Sequence, residues 1–440
     1  MHHRCKRLLA VFLLFSLHLT AEIRSLTILH TNDLHARLSP LENGQGGFAY
    51  LAAVIRKERE NCTDCILLNA GDLVQGTPVS TIFKGLPVYE LGNLFGFAAG
   101  TLGNHEFDYG WERIREFIAH ANYPIVSANI VGNGGGLITP KPYVILNVNH
   151  LRVAVIGAET EDLHNLSTPK LLGPHHTLPL VETVRKYAAE LRDKSDMVVL
   201  LAHITGEEEK AILDGVPEVQ ITVSGHIHKG IDQPLMKDGR FVVRVKGYGV
   251  ELGRLDLTVD TETKAAVQWK WSRILVDSTK IAPAPDMARA VKHWEDEVAS
   301  KVDKPLAISE RRLDEHHVKQ LIERAMREET GADFAFMNQG GVRDGLPQGQ
   351  LLERHIWNIM PFDNDVVIGT FKGSRLPAAV VGNAKVDPDR EYSLAVTDFT
   401  AANQGSSENL RTTGLPFPRD EGLLRNILID WFRKKKVVGP

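Results

Sequence analysis

Five short apolar runs in the first half of the chain each stop at Asp, Asn or His. They are "LTILHTNDLH", "CILLNAGD", "AAGTLGNHE", "DMVVLLAH" and "VQITVSGHIH". Runs of this length, rich in Val, Ile and Leu and bounded by Gly or Asn, read as buried strands. Helical patterns lie between several of them, over residues 47–60 and 178–194. Alternating strands and helices specify an α/β domain. In such domains, sites form beyond the carboxyl ends of the strands, and the polar residues fall there in each run.

The first run supplies Asp33 and His35, the second Asp72, the third Asn104 and His105. The fourth supplies His203, and the fifth His226 and His228. Residues two apart in an extended segment point the same way, so Asp33 with His35, and His226 with His228, can each reach one ion. Any one of these is ordinary by itself, as a polar turn or a helix N-cap. Together they form a mixed oxygen and imidazole donor set, which suits divalent metals such as Zn, Mn or Fe. The set is larger than one ion needs; two ions sharing a bridging carboxylate use all of it. A two-metal site clamps a phosphoryl group and stabilises both attacking and leaving oxygens. Phosphate esters need that most, because their hydrolysis is largely positioning and charge neutralisation. The third run continues as "TLGNHEFDYG", which adds Glu106 and Asp108 between Gly103 and Gly110, glycines that fit tight bends.

The remaining chain reads as strands near "FVVRVKG", "ELGRLDLTVD" and "AAVQWKWSRILVD", then the break "IAPAPD". "MARAVKHWEDEVASKV" follows as a connecting helix between prolines. A second domain carries a helix near residues 316–330 and strands at "DFAFMN", "DVVIGTFKG" and "EYSLAVTD". The expected division is 1–21 signal peptide, 22–280 first domain, 281–305 connecting helix and 306–440 second domain.

The start of the chain has the order of a secretory signal peptide: basic "MHHRCKR", apolar "LLAVFLLFSLHL", then the small Ala21. The apolar run is short for a bilayer. The expectation is an exported, periplasmic or extracellular protein with no stable membrane span. A net charge of −4 argues against a nucleic-acid partner. The basic run "RKKK" reads as a solvated helix end. Of three cysteines, Cys5 lies in the signal segment. Cys62 and Cys65, in "NCTDC", read as a local disulfide in an exported chain, since no second pair completes a zinc site.

The motifs "HTNDLHARL", "NAGDLVQGTPVS", "TLGNHEFDYG", "LLAH" and "SGHIH", in this order, resemble the 5′-nucleotidase family of calcineurin-like metallophosphoesterases. "MNQGGVRDGLPQG" and "MPFDNDVVIGTFKGSRL" resemble that family's C-terminal domain. The resemblance implies a four-layer αββα sandwich, a connecting helix and a smaller α+β C-terminal domain. It implies two divalent ions (Zn, Mn or similar): one held by Asp33, His35 and His228 with Asp72 bridging, the other by Asn104, His203 and His226. It places His105 outside the metal shell, oriented by Asp108, and assigns Glu106 no role; Glu106 reads as a structural, hydrogen-bonding turn carboxylate. The resemblance also implies that Asn104, besides its place at the second ion, contacts the substrate's phosphoryl oxygens, and that Arg343 and Phe399 contact the substrate from the second domain, the Phe by stacking on a base. The implied reaction is release of phosphate from nucleoside 5′-monophosphates by a dimetal-activated hydroxide, with diphosphates, nucleotide sugars and cyclic nucleotides as further substrates.

The sequence departs from the family in two respects. Gly405 stands where the family has an Asp that contacts ribose, and the segment carrying the first stacking aromatic is absent. Two alternatives follow: a related dimetal hydrolase of a non-nucleotide phosphate or sulfur ester, and a metal-loaded nucleotide-binding protein without turnover.

Overall fold

The computed structural model describes residues 22–406 and 408–439. The expected signal segment, with Cys5, lies outside them. Two sheets stack face to face in the first half of the chain. One has five strands, in the order Ala265–Leu275, Glu251–Asp260, Ile23–Thr31, Cys65–Asn69, Ala99–Gly100. The other has six, in the order Leu235–Lys237, Arg240–Val243, Ile221–Gly225, Met197–His203, Leu151–Glu159, Tyr143–Val148.

Period-two alternation sorts the side chains into layers. Along Met197–His203, Met197, Val199 and Leu201 face the other sheet, packing with Leu26, Ile28 and Val155. Val198, Leu200 and Ala202 face outward onto Leu180, Val184 and Ala188 of the helix Leu180–Leu191. The other sheet is covered by the helices Phe48–Glu60, Pro78–Phe83 and Leu86–Gly92. Helix, sheet, sheet and helix thus make the expected four-layer αββα sandwich. Burial of these apolar faces contributes about 25 cal/mol per Å².

The connecting helix runs Pro285–Val302 and starts on proline, whose missing N–H is unneeded there. It is more than a connector. Met287, Val298 and Val302 are buried in the core beneath the sandwich's outer helices. Beyond it, a three-stranded and a four-stranded sheet pack with the helices Glu315–Thr330 and Leu424–Lys435 around a separate core. The "DFAFMN" strand is only Phe334–Ala335. Cys62 and Cys65 are bonded to each other between Phe48–Glu60 and Cys65–Asn69. The basic run at the end of Leu424–Lys435 is not merely solvated: Arg433, Lys434 and Lys435 pair with Glu353, Glu329 and Glu328. No helix among the described residues is long and apolar enough to cross a membrane.

Candidate active site

Strands Ile23–Thr31 and Cys65–Asn69 are parallel, with Thr31 opposite Asn69. Their loops stay paired past the strand ends. The N–H groups of Asp33, His35 and Ala36 donate to the carbonyls of Gly71, Asp72 and Leu73 at 3.1, 3.0 and 2.9 Å. This pairing is made in left-handed backbone: φ is 52° at Asp33, 47° at His35, 50° at Asp72, 78° at His226 and 57° at His228. Such conformations cost L-residues about 1–2 kcal/mol each and persist where the surroundings enforce them, often at functional sites. The extended geometry expected for Asp33–His35 and His226–His228 is therefore corrected. Left-handed turns, rather than strand alternation, aim both members of each pair inward.

The side chains converge. His228 Nε2 lies 3.3 Å from Asp33 Oδ1, and His203 Nε2 lies 3.0 Å from Asp72 Oδ2. His35 Nε2 lies 2.9 Å from His228 Nε2 and 3.7 Å from Asp72 Oδ2. Asp33, His35, Asp72 and His228 each offer a donor atom within 4.8 Å of the others'. The His203 and His226 rings stand edge to face at 5.1 Å. Asn104 is buried, and its Oδ1 has no hydrogen-bond partner among the described residues. Burial, joined by the neighbouring His203, pushes the His226 imidazole down to about 4. Burial and His228 likewise hold His35 well below the usual range. Burial opposes ionisation of Asp72, but His203 and His105 outweigh it and keep the carboxyl well below its usual range.

In "TLGNHEFDYG" the residues take separate positions. His105 Nδ1 is 2.8 Å from Asp108 Oδ2, and the His105 N–H donates to Asp72 Oδ1 at 3.0 Å. Burial works against a protonated His105, but Asp108 and Asp72 raise its pKa. Glu106 turns the other way. Its carboxylate accepts the N–H groups of Gly103, Asp72 and Leu73 at 2.6, 3.1 and 2.9 Å. It thereby ties the third loop to the second. Gly110 has φ 88°, as a tight bend requires, whereas Gly103 has φ −118°. Gly103 is needed for clearance instead: a Cβ there would lie 2.2 Å from Asp72 Oδ1. Glu106→Ala strands these buried donors, and the expected destabilisation is about 3 kcal/mol, measured by denaturant unfolding. An unchanged midpoint would show that water replaces the carboxylate at no cost.

The second domain closes over these loops. Between the two halves lies a cleft of about 720 Å³, lined by Asp72, Asn104, His105, His228, Arg343 and Phe399 among others. Among the described residues Arg343 makes no salt bridge within its own domain. Its Nη1 donates to the Gly340 carbonyl at 3.3 Å, and its Nη2 has no partner among the described residues. Its loop is held from across the cleft: Arg37 donates to Asp344 Oδ2 at 2.9 Å and to the Arg343 carbonyl at 3.1 Å. Phe399 sits on the short helix Asp398–Ala402 at the cleft. Gly405 is not among the lining residues; Ser406, Glu408 and Asn409 of the same segment are.

Three contributors escaped the sequence reading. Phe362 lines the same cleft as Phe399, with its ring 5.8 Å from that of His105. The quoted block "MPFDND" contained it, but nothing local marks it. Arg37 lies two residues beyond His35 and acts on a loop about 300 residues away. Glu159 ends a sixth apolar run, "VAVIGAE", which closes on Glu where the other five close on Asp, Asn or His.

These observations agree with comparisons to known proteins. Residues 26–230 match calcineurin-like phosphoesterases, and residues 297–382 match the 5′-nucleotidase C-terminal domain. The chain belongs to the 5′-nucleotidase family of calcineurin-like phosphoesterases and is a phosphoester hydrolase of that class. It is 25% identical over 453 residues to protein UshA of Yersinia enterocolitica, covering 89% of this chain and 82% of that protein. It is 26% identical over 421 residues to endonuclease YhcR of Bacillus subtilis, covering 85% of this chain. There the chain spans only 34% of the relative's length. The crystal structure of a 5′-nucleotidase precursor from Thermus thermophilus superposes with a TM-score of 0.84 at 23% identity, over 94% of this chain and 97% of that one. That likeness speaks for the fold.

Proposed function

We propose that this chain is an exported, dimetal 5′-nucleotidase that releases phosphate from nucleoside 5′-monophosphates. The observation that carries the reading is the clustering of Asp33, His35, Asp72 and His228, of which Asp72 and His228 line one cleft with the His105–Asp108 pair and Arg343. Localisation outside the cytoplasm rests on the signal-like order of residues 1–21.

The donor set fits divalent cations. Carboxylate and imidazole atoms crowd together, and the buried Asn104 Oδ1 has no hydrogen-bond partner among the described residues. Asp33, His35 and His228 would hold one ion, with Asp72 shared, and Asn104, His203 and His226 the second. When bound, such ions supply Lewis acidity that offsets phosphoryl charge and activates water. The protein groups do the rest. Asp108 accepts from His105 Nδ1, which fixes the ring and leaves Nε2 for the leaving oxygen. A proton held there passes to the departing alkoxide. Arg343 donates to a phosphate oxygen through Nη2, which has no partner among the described residues. Phe399 and Phe362 offer ring faces to the leaving group.

The test uses the chain from Glu22 onward. Phosphate release is measured from nucleotides, nucleotide sugars and simple esters, with chelator and with added Mn or Zn. Nucleoside monophosphates should be hydrolysed, chelator should abolish release, and metal should restore it. Release from simple esters but from no nucleotide would overturn the nucleotidase reading and favour a non-nucleotide ester. No metal-dependent release from any ester would overturn the enzymatic role of the site.

A further inference from the structure

Strand Leu151–Glu159 ends on a carboxylate that the mechanism above does not use. Val153, Val155 and Glu159 share one face of it, and the two valines belong to the core between the sheets. In the neighbouring parallel strand, Glu159 is paired with His203. The two side chains therefore stand beside each other at the carboxyl ends of their strands, on the inter-sheet face. The position is fixed. Asn129, itself buried, donates to the Glu159 carbonyl at 2.7 Å and accepts the Glu159 N–H at 2.9 Å. The Thr160 N–H donates to the His203 carbonyl at 2.9 Å.

Glu159 is wholly buried, and neither carboxylate oxygen has a hydrogen-bond partner among the described residues. A buried carboxylate without a partner is among the costlier things a core can hold: it stays protonated unless a neighbouring cation stabilises its charge. An apolar residue would fill the same space without that cost. The local charges indicate what that cation is. Two divalent ions carry twice the charge that Asp33 and Asp72 offset, and the imidazole and amide donors offset none. The surplus would sit at the floor of the cleft, and on the side of the buried His203 and Glu159, where water is excluded, it would be felt strongly.

We propose that Glu159 is a positioning residue for the cation beside His203: a fixed, buried anion that balances divalent charge without needing to ligate it. This rests on the dimetal reading above.

The test compares the chain from Glu22 with its E159Q and E159D variants. Mn²⁺ affinity is measured by calorimetric titration, and unfolding temperature is measured with and without Mn²⁺. Glutamine keeps the shape and removes the charge. E159Q should weaken Mn²⁺ binding about 10- to 100-fold. Without metal it should unfold at the same or a higher temperature than the unaltered chain, because an unpaired buried acid has been removed. E159D keeps the charge and should keep most of the affinity. E159Q that binds Mn²⁺ as tightly as the unaltered chain overturns the proposal alone. So does an equal loss of affinity and of metal-free stability in both variants, which marks a packing role. If the unaltered chain binds no Mn²⁺, the dimetal reading itself fails.

Discussion

Asp72→Asn is expected to abolish phosphate release and to strip the site of metal. The substitution is unusually clean. Asn tolerates the left-handed φ of 50° at this position better than most residues do. Its amide oxygen can still accept the His105 N–H that Asp72 Oδ1 now accepts at 3.0 Å. Shape, backbone and that hydrogen bond survive, and only the charge leaves. That charge lies 3.0 Å from His203 and 3.7 Å from His35, at the centre of the proposed donor set. Loss of outer partners of metal ligands commonly costs 10- to 100-fold in affinity, so loss of a shared ligand should cost at least about 100-fold. Metal content measured by mass spectrometry of the purified variant gives the answer. Two retained equivalents would mean that Asp72 is not the bridging group.

His105→Ala should behave in the opposite way with respect to metal. Its Nδ1 is committed to Asp108, and none of the proposed ligand positions needs it. The variant should keep normal metal content while kcat falls about 100- to 10,000-fold, the range for removing a general acid. The deficit should be largest for substrates with poor leaving groups and smaller for activated aryl phosphates, which depart without a proton. An equal deficit for both classes would assign His105 to phosphoryl stabilisation instead. Loss of metal would place it in the ligand shell.

Much of this site could be read from the sequence because strand ends are local. Five apolar runs with ligating termini required only the α/β rule to become one cleft. The helices 48–60, 285–302 and 315–330 were legible for the same reason: their periodicity and their proline boundaries are short-range signals. Backbone handedness at Asp33, His35, His226 and His228 was not legible. Asp and His carry no glycine-like mark, and the left-handed turns are imposed by pairing with neighbouring loops. Long-range contacts were equally silent. Arg37 meets Asp344, and Thr81 Oγ1 donates to the Pro361 carbonyl at 2.9 Å, but neither residue belongs to a recognisable pattern. Glu159 differs from these. It stands at a strand end as the other site residues do, but its run closes on "GAE", outside the Asp, Asn and His endings that mark the other five.

The contact between Arg37 and the loop of Arg343 bears on modular exchange between family members. The two halves of this chain have separate cores, which invites the assembly of chimeras that pair one protein's sandwich with another's cap. Arg37 lies on a loop of the proposed metal site, yet it holds the loop of the cap's own arginine through a carbonyl and a neighbouring aspartate. A graft that respects the hydrophobic boundary but ignores this pair would transplant the cap intact and leave its guanidinium unguided. The functional seam of the molecule therefore does not follow the seam of its cores. It passes inside the first half, between His35 and Leu38.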